Sequence, residues 1–519
     1  MSRSRRLLAA ALPLAIGAAL AGAAIATPPA AAAAPTCHGS APSDFNGDGI
    51  SDAAIGEPNV EPPTDGGEVH VIFGTRSGLV ADASGTALND AILGSGQTVT
   101  GGFGASIVAA DFNGDGCSDI AVGDPLAHVE GGSVAGGSVH VWFGDPVQGF
   151  KGEITLDITY TLQTANSGDL FGYALAAGDL NGDGLPDLVI GAPGVNGNAG
   201  EIVVFPGDAS GPQFNPVWFE QGDGTVPGSS EAGDRFGFSL ASGDFNGDHL
   251  VDVAVGDPGE NVAAGAVDVL RGTSNGRMLT ATGAQYWSQN SSGISGSAES
   301  GDNFGYAVAV GDFNGDHRSD LAAGVPFESL GSAHEAGMVN VIYGGSSGLN
   351  STHNQGWDQN SSGVSGTSET NDNFGTSLAA GDFNGNGRTD LAIGVPDEAI
   401  GSVSAAGQVN VLIGASGGLT ASGSSAWTQS TAGIAGTAEA QDQFGAGLGV
   451  IRVRSASRDD LVVGSPGEGI GSVFGAGTIN LIPGSSAGLT ATNSQSFNDG
   501  TSGIQGSPCA ECGFGYSIS

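Results

Sequence analysis

FGYALAAGDLNGDGLPDLVIGAP, Phe171 to Pro193, reads as two short apolar runs on either side of an acidic turn broken by glycine. Runs bounded by Gly, Asn, Asp and Pro are strand signals, and the turn between them makes the pair a hairpin. The second half recurs at Asp44 (DFNGDGISDAAIGEP), Asp111 (DFNGDGCSDIAVGDP), Asp244 (DFNGDHLVDVAVGDP), Asp312 (DFNGDHRSDLAAGVP) and Asp382 (DFNGNGRTDLAIGVP). A seventh copy, RVRSASRDDLVVGSP from Arg452, keeps the strand and loses the acidic turn. A period of roughly 65–70 residues marks a repeat architecture.

Other features keep the same register. Phe-Gly pairs stand at Phe103, Phe171, Phe236, Phe304, Phe374, Phe444 and Phe514. A third strand-like run appears seven times, from EVHVIFG at Glu68 to TINLIPG at Thr478. A fourth carries an aromatic in most units (Trp218, Trp287, Trp357, Trp427, Phe497), and recurrence in register marks these as core positions. Four strands in each of seven units predict an all-β fold, a seven-bladed β-propeller of four-stranded blades. The first acidic turn, at Asp44, has no Phe-Gly before it, whereas the chain ends in FGYSIS, Phe514–Ser519. The C-terminal strand is therefore expected to close the first blade.

The bulk composition agrees. Among 519 residues there are 94 Gly and 22 Pro, which suits short strands and tight turns better than helices. Residues 1–34 have the layout of a signal peptide, with SRSRR before an apolar stretch and small residues after it, and cleavage is expected between 26 and 34. An N-terminal anchor is the alternative. The propeller then occupies 37–519, with no further run near the roughly 20 apolar residues of a membrane span. A formal charge of −41 argues against nucleic acid and anionic membranes, since both recruit Lys and Arg. Four cysteines (Cys37, Cys117, Cys509, Cys512) in an exported chain point to two disulfides, and of the three pairings Cys37–Cys117 with Cys509–Cys512 is favoured.

The acidic turn, D-x-N-x-D-G-x-x-D, offers side-chain oxygens at positions 1, 3, 5 and 9 and a backbone carbonyl at position 7. That set suits a hard cation such as Ca²⁺, which takes six to eight oxygens. The expected ligands are Asp44, Asn46, Asp48, Ile50 and Asp52; Asp111, Asn113, Asp115, Cys117 and Asp119; and Asp179, Asn181, Asp183, Leu185 and Asp187. They continue with Asp244, Asn246, Asp248, Leu250 and Asp252; Asp312, Asn314, Asp316, Arg318 and Asp320; and Asp382, Asn384, Asn386, Arg388 and Asp390. Up to six Ca²⁺ are expected. The sixth site is the weakest because Asn386 removes a charge, and the seventh turn, with Arg452 and Arg454 at positions 1 and 3, binds none. His249 and His317 stand at position 6, where a left-handed backbone is required. The turn is no EF-hand, because a strand follows it directly and no Glu stands at position 12.

Phe-Gly, Gly-x-Pro and DxNxDGxxD together resemble the FG-GAP repeat of the integrin α-subunit propeller, found also in bacterial exported proteins and in glycosylphosphatidylinositol phospholipase D. The resemblance runs from about Asp44 to Ser519. It implies calcium loops on one face and ligand binding on the other, where longer connections such as Pro326–Gly337 lie. The expected function is a secreted, monomeric, non-catalytic module for binding or adhesion to an extracellular protein or glycan. The alternatives are an extracellular hydrolase and a structural component of the cell envelope.

Catalytic motifs are weak. Gly-x-Ser-x-Gly occurs at Gly272, Gly344, Gly414 and Gly484, always in the turn after the third strand, whereas a nucleophile elbow needs a following helix. His334-Glu335 lacks the second His of a zinc motif. His70 and His140 occupy equivalent third-strand positions and read as satisfied imidazoles.

Overall fold

The computed structural model describes residues 36–37, 41–59, 66–81, 91–93, 102–129, 133–161, 164–222, 224, 226–275 and 277–519. The expected signal peptide lies outside the described residues. No helix among them is long and apolar enough to cross a membrane.

Seven four-stranded antiparallel sheets form the blades. In the blade of the quoted stretch, Ala174–Gly178 is innermost and Asp187–Ala192, Glu201–Phe205 and Val217–Phe219 follow outward. The innermost strands of successive blades neighbour one another around the ring. The second strands, Asp187–Ala192 and its six counterparts, are buried at every residue. Sheets covered on both faces favour such continuous apolar runs.

The core lies between blades. Phe112, Val139 and Phe171 pack with Leu188, Val203 and Phe205 across one junction, and the other junctions repeat the theme. All seven Phe-Gly phenylalanines are fully buried. Their glycines have positive φ, +91° at Gly172, for example. A Cβ on Gly123, in the Gly-x-Pro of the preceding blade, would lie 2.0 Å from the carbonyl oxygen of Gly172. The two glycine motifs are thus the two sides of one backbone contact between adjacent blades, which admits no side chain.

The terminal strand Ser517–Ile518 pairs with Ala53–Glu57 in the register Ile55↔Ile518 and Gly56↔Ser517. It also touches the innermost strands on either side, so the ring is closed as the repeat count predicts. Ser517 Oγ donates to the Gly104 carbonyl (2.5 Å), as Ser106 does to Gly172 (2.7 Å) and Ser239 to Gly305 (2.7 Å). The seam is therefore an ordinary blade junction. Disulfides join Cys37 to Cys117 and Cys509 to Cys512. Cys509 and Cys512 stand five and two residues before Phe514, where earlier units place Glu and Asp before Phe304, Phe374 and Phe444.

One expected core position is corrected. Trp218 is 45% exposed, while Phe219 is 5% exposed. Ile202 pairs with Phe219, as Val267 does with Trp287, so Phe219 is the true counterpart of the other aromatics. A slip of one residue along a strand exchanges its faces.

Candidate calcium loops and the opposite face

Five of the six acidic turns join the first and second strands of a blade, and the turn at Asp44 leads into the second strand of the blade whose first strand is Ser517–Ile518, so all of them lie at the same end of their blades. Position 1 organises the turn. Asp179 Oδ1 accepts from the Gly182 and Asp183 amides (2.6 and 3.1 Å), and Oδ2 accepts from the Gly184 amide (2.9 Å). Asn181 Oδ1 accepts from Asp183 (2.9 Å), and Asp183 Oδ1 accepts from the Leu185 amide (3.0 Å). The turns at Asp44, Asp111, Asp244, Asp312 and Asp382 repeat the capture of the position-6 amide by the position-1 carboxylate. His249 and His317 have φ of 71° and 66°, the left-handed backbone expected at position 6.

Position 9 has a role that the sequence reading missed. Asp187 Oδ1 accepts from the Gly207 amide at the end of the third strand (2.9 Å), and Oδ2 accepts from the Leu180 amide (3.1 Å). The glycine bond recurs in all seven blades, as Asp52–Gly74, Asp119–Gly144, Asp252–Gly272, Asp320–Gly344, Asp390–Gly414 and Asp460–Gly484. Asp460 belongs to the degenerate turn. The position-9 carboxylate therefore ties three strands together whatever the rest of the turn contains. The clue was already in RVRSASRDDLVVGSP, which loses every other acid of the pattern and keeps this one.

The same carboxylates are electrostatically strained. Burial pushes Asp119 up to about 8, Asp252, Asp320 and Asp390 to about 7, and Asp187 to about 6. Backbone amides pull against burial, and the other aspartates of each turn add to the rise. Asp119 Oδ2 is buried with no hydrogen-bond partner among the described residues. An oxygen-only, acid-rich donor set with such an orphan fits a hard divalent cation. The side chains at positions 1, 3, 5 and 9 and the carbonyl at position 7 would hold it.

The turns are not equivalent. Lys151 Nζ stands 2.9 Å from Asp115 and already supplies a positive charge to the second. In the seventh, Arg452 stands at position 1 and pairs with Asp459 (2.8 Å).

The opposite face carries aromatic and acidic groups. The residue after each Phe-Gly lies at the entry to an innermost strand. Tyr173 and Phe238 have ring centroids 4.8 Å apart, Phe238 and Tyr306 5.1 Å, and Tyr306 and Phe327 5.8 Å. Tyr516, at the same place in the terminal strand, is 50% exposed. Recurrence of FGY and FGF in one register was the signal for this cluster.

Two groupings that resemble catalytic motifs sit in structural settings. The Gly-x-Ser-x-Gly segments end third strands or begin the hairpins after them, as at Ala266–Thr273, and the fourth strand follows. Ser138 Oγ lies 3.1 Å from His140 Nε2, and His140 Nδ1 lies 2.9 Å from Glu153, the row of contacts used in nucleophilic catalysis. Both Ser138 and His140 are only 2% exposed, and the imidazole is stacked on Trp142, so this is a buried polar row.

Five segments, residues 103–142, 171–205, 236–270, 304–342 and 374–412, match the FG-GAP repeat. Fold and turns together define the class as an FG-GAP β-propeller. Within that class the chain is of the integrin-α-like kind. It is 33% identical to integrin alpha-7 of Mus musculus over 182 residues, covering 35% of this chain and 14% of that protein. It is 32% identical to phosphatidylinositol-glycan-specific phospholipase D of Bos taurus over 186 residues, covering 34% of this chain and 21% of that protein. The chain thus matches less than a quarter of either relative's length. The crystal structure of the V. cholerae biofilm matrix protein Bap1 aligns with a TM-score of 0.27 and 11% identity, over 80% of this chain and 84% of that one. That likeness is too loose to carry weight.

Proposed function

We propose that this chain is an exported, calcium-stabilised propeller that binds an extracellular protein or glycan and catalyses no reaction on it. The observation that carries the reading is the cluster of Tyr173, Phe238, Tyr306 and Tyr516 at the entries of the innermost strands, away from the acidic turns. Tyr516 is exposed and Tyr173, Phe238 and Tyr306 are partly buried, and aromatic rings so placed offer faces or edges to sugar rings, to apolar side chains and to cationic groups. The strongly acidic surface favours a neutral or basic partner. Two disulfides and the relatives named above support an extracellular setting. In this reading Ca²⁺ stabilises the ring. Extracellular modules bind it at about 10⁻⁴–10⁻³ M, so each site adds about 0.4–1.4 kcal/mol at millimolar ion.

The test compares the full chain with Tyr306→Ala and Tyr516→Ala on a glycan array and against fractionated secreted proteins, in millimolar Ca²⁺ and in chelator. Loss of a specific ligand in both variants, with the fold intact, supports the reading. Turnover of phosphoesters or glycans that co-purifies with the chain through successive columns would replace it with the hydrolase alternative. No specific ligand in any arm favours a structural role in the envelope.

A further inference from the structure

On the face opposite the acidic turns a second acidic pattern repeats in four consecutive units. Glu-x-x-Asp ends two residues before Phe236, Phe304, Phe374 and Phe444, and a Glu stands two residues after the Pro of each following Gly-x-Pro. In three of these junctions that Glu takes an amide from the preceding blade. Gln289 donates to Glu328 (2.7 Å), Gln359 to Glu398 (2.6 Å) and Gln429 to Glu468.

The remaining junction differs. Gln221 stands in the matching place but donates to Asp257 (2.8 Å) and Asp268 (3.0 Å). These acids occupy positions held by Val325 and Asn340 in the next blade. Glu260 is thereby deprived of the amide its counterparts receive. It is only 6% exposed, its Oε1 accepts from Asn261 Nδ2 (3.0 Å), and its Oε2 has no hydrogen-bond partner among the described residues. The Tyr286 hydroxyl, which accepts from the same Asn261 amide (3.1 Å), does not reach hydrogen-bonding geometry with Oε2. Oxygens of Glu231, Asp234 and Glu260 lie within 4.8 Å of one another. Glu231 and Asp234 also line a cavity of about 710 Å³, which gives the cluster a path to solvent.

We propose that Glu231, Asp234 and Glu260 bind a divalent cation, Ca²⁺ by their all-oxygen chemistry, on the face opposite the acidic turns. The site does not depend on the turns being loaded. Three carboxylates supply the charge a hard cation requires, and water from the cavity completes its shell. The neighbouring cluster of Glu299, Asp302 and Glu328 has the same composition, but its buried Glu is satisfied by Gln289, so the assignment is confined to the first.

The experiment measures Ca²⁺ bound per full chain by equilibrium dialysis, together with Tb³⁺ luminescence excited through tyrosine. Glu260→Gln is expected to lower bound Ca²⁺ by one ion per chain and to remove the part of the Tb³⁺ signal that Tyr286→Phe also removes. Tyr286→Phe leaves the ion count unchanged. Glu231→Gln, at an exposed position, weakens that one ion by about tenfold, since affinity follows the number of charged ligands. If Glu260→Gln does not fold, Glu231→Gln decides alone. An unchanged ion count, affinity and luminescence in a folded variant overturns the site. Asp183→Asn reports on the acidic turns separately, so failure there and failure here are told apart.

Discussion

Ala54 and Ser519 hydrogen-bond each other in both directions, with N–H···O distances of 2.9 and 3.0 Å, although they lie at opposite ends of the described chain. This exchange, with the Ser517–Gly104 bond and the burial of Phe514, makes the seam equal to any other junction. Deleting residues 514–519 should therefore lower the melting temperature of the whole ring. Phe514→Ala should cost about 3–5 kcal/mol, like Phe304→Ala at an internal junction. Urea unfolding of the two variants checks the comparison, and a seam variant indistinguishable from wild type would refute the closure.

Two positions of the acidic turn separate metal binding from architecture. Asp183 makes only a local turn contact, whereas Asp187 and Asp460 tie the second strand to the third. Asp183→Ala should reduce the rise in melting temperature between EDTA and millimolar Ca²⁺ while sparing the EDTA value. Asp460→Ala should lower both values equally, through a loss of stability on the order of 1–3 kcal/mol for a buried amide left unpaired. Calorimetry in the two buffers decides. A Ca²⁺ response reduced by Asp460→Ala would mean that the seventh turn binds an ion after all.

Stability should fall as pH rises, and Asp268 is one identifiable cause. Burial raises its carboxyl from an ordinary 3.8 to about 8, with Gln221 opposing and Glu260 adding to the rise. The folded chain thus keeps a proton that the unfolded chain gives up. The associated stability is complete below about pH 4 and is lost as pH climbs to about 8. Asp268→Asn installs the amide found at Asn340 and Asn410 and removes the titration. It should stabilise by on the order of 1–3 kcal/mol at pH 8 and by little at pH 4. Equal effects at both pH values would show that Asp268 is ionised in the folded chain.

The repeat carried most of the fold into the sequence. Phe-Gly, Gly-x-Pro and the acidic turn recur because each answers a geometric demand of a blade, whether a positive φ, a backbone contact or a tight hairpin. Features that depend on a neighbouring blade were less legible. The partners of Gln221 and Gln289 lie 36 to 47 residues further on, and which acid each one meets is settled by packing. The bond from position 9 to Gly207 was not legible beside its reading as a metal ligand, because it runs to another strand, where pattern alone does not reach.

The fourth strand shows the same limit within a single blade. VWFEQ offers two adjacent aromatics, Trp218 and Phe219, and the larger one was matched to Trp287, Trp357 and Trp427. The surer anchor is the glutamine two residues beyond the core aromatic, since Gln221 follows Phe219 as Gln289 follows Trp287 and Gln359 follows Trp357. Phe219 meets Ile202 across the sheet and is buried, while Trp218 faces water. Phe219→Ala should cost about 3–5 kcal/mol, whereas Trp218→Ala should stay within about 0.5 kcal/mol. Chemical unfolding of both variants checks the register, and the reverse order of costs would restore Trp218 to the core.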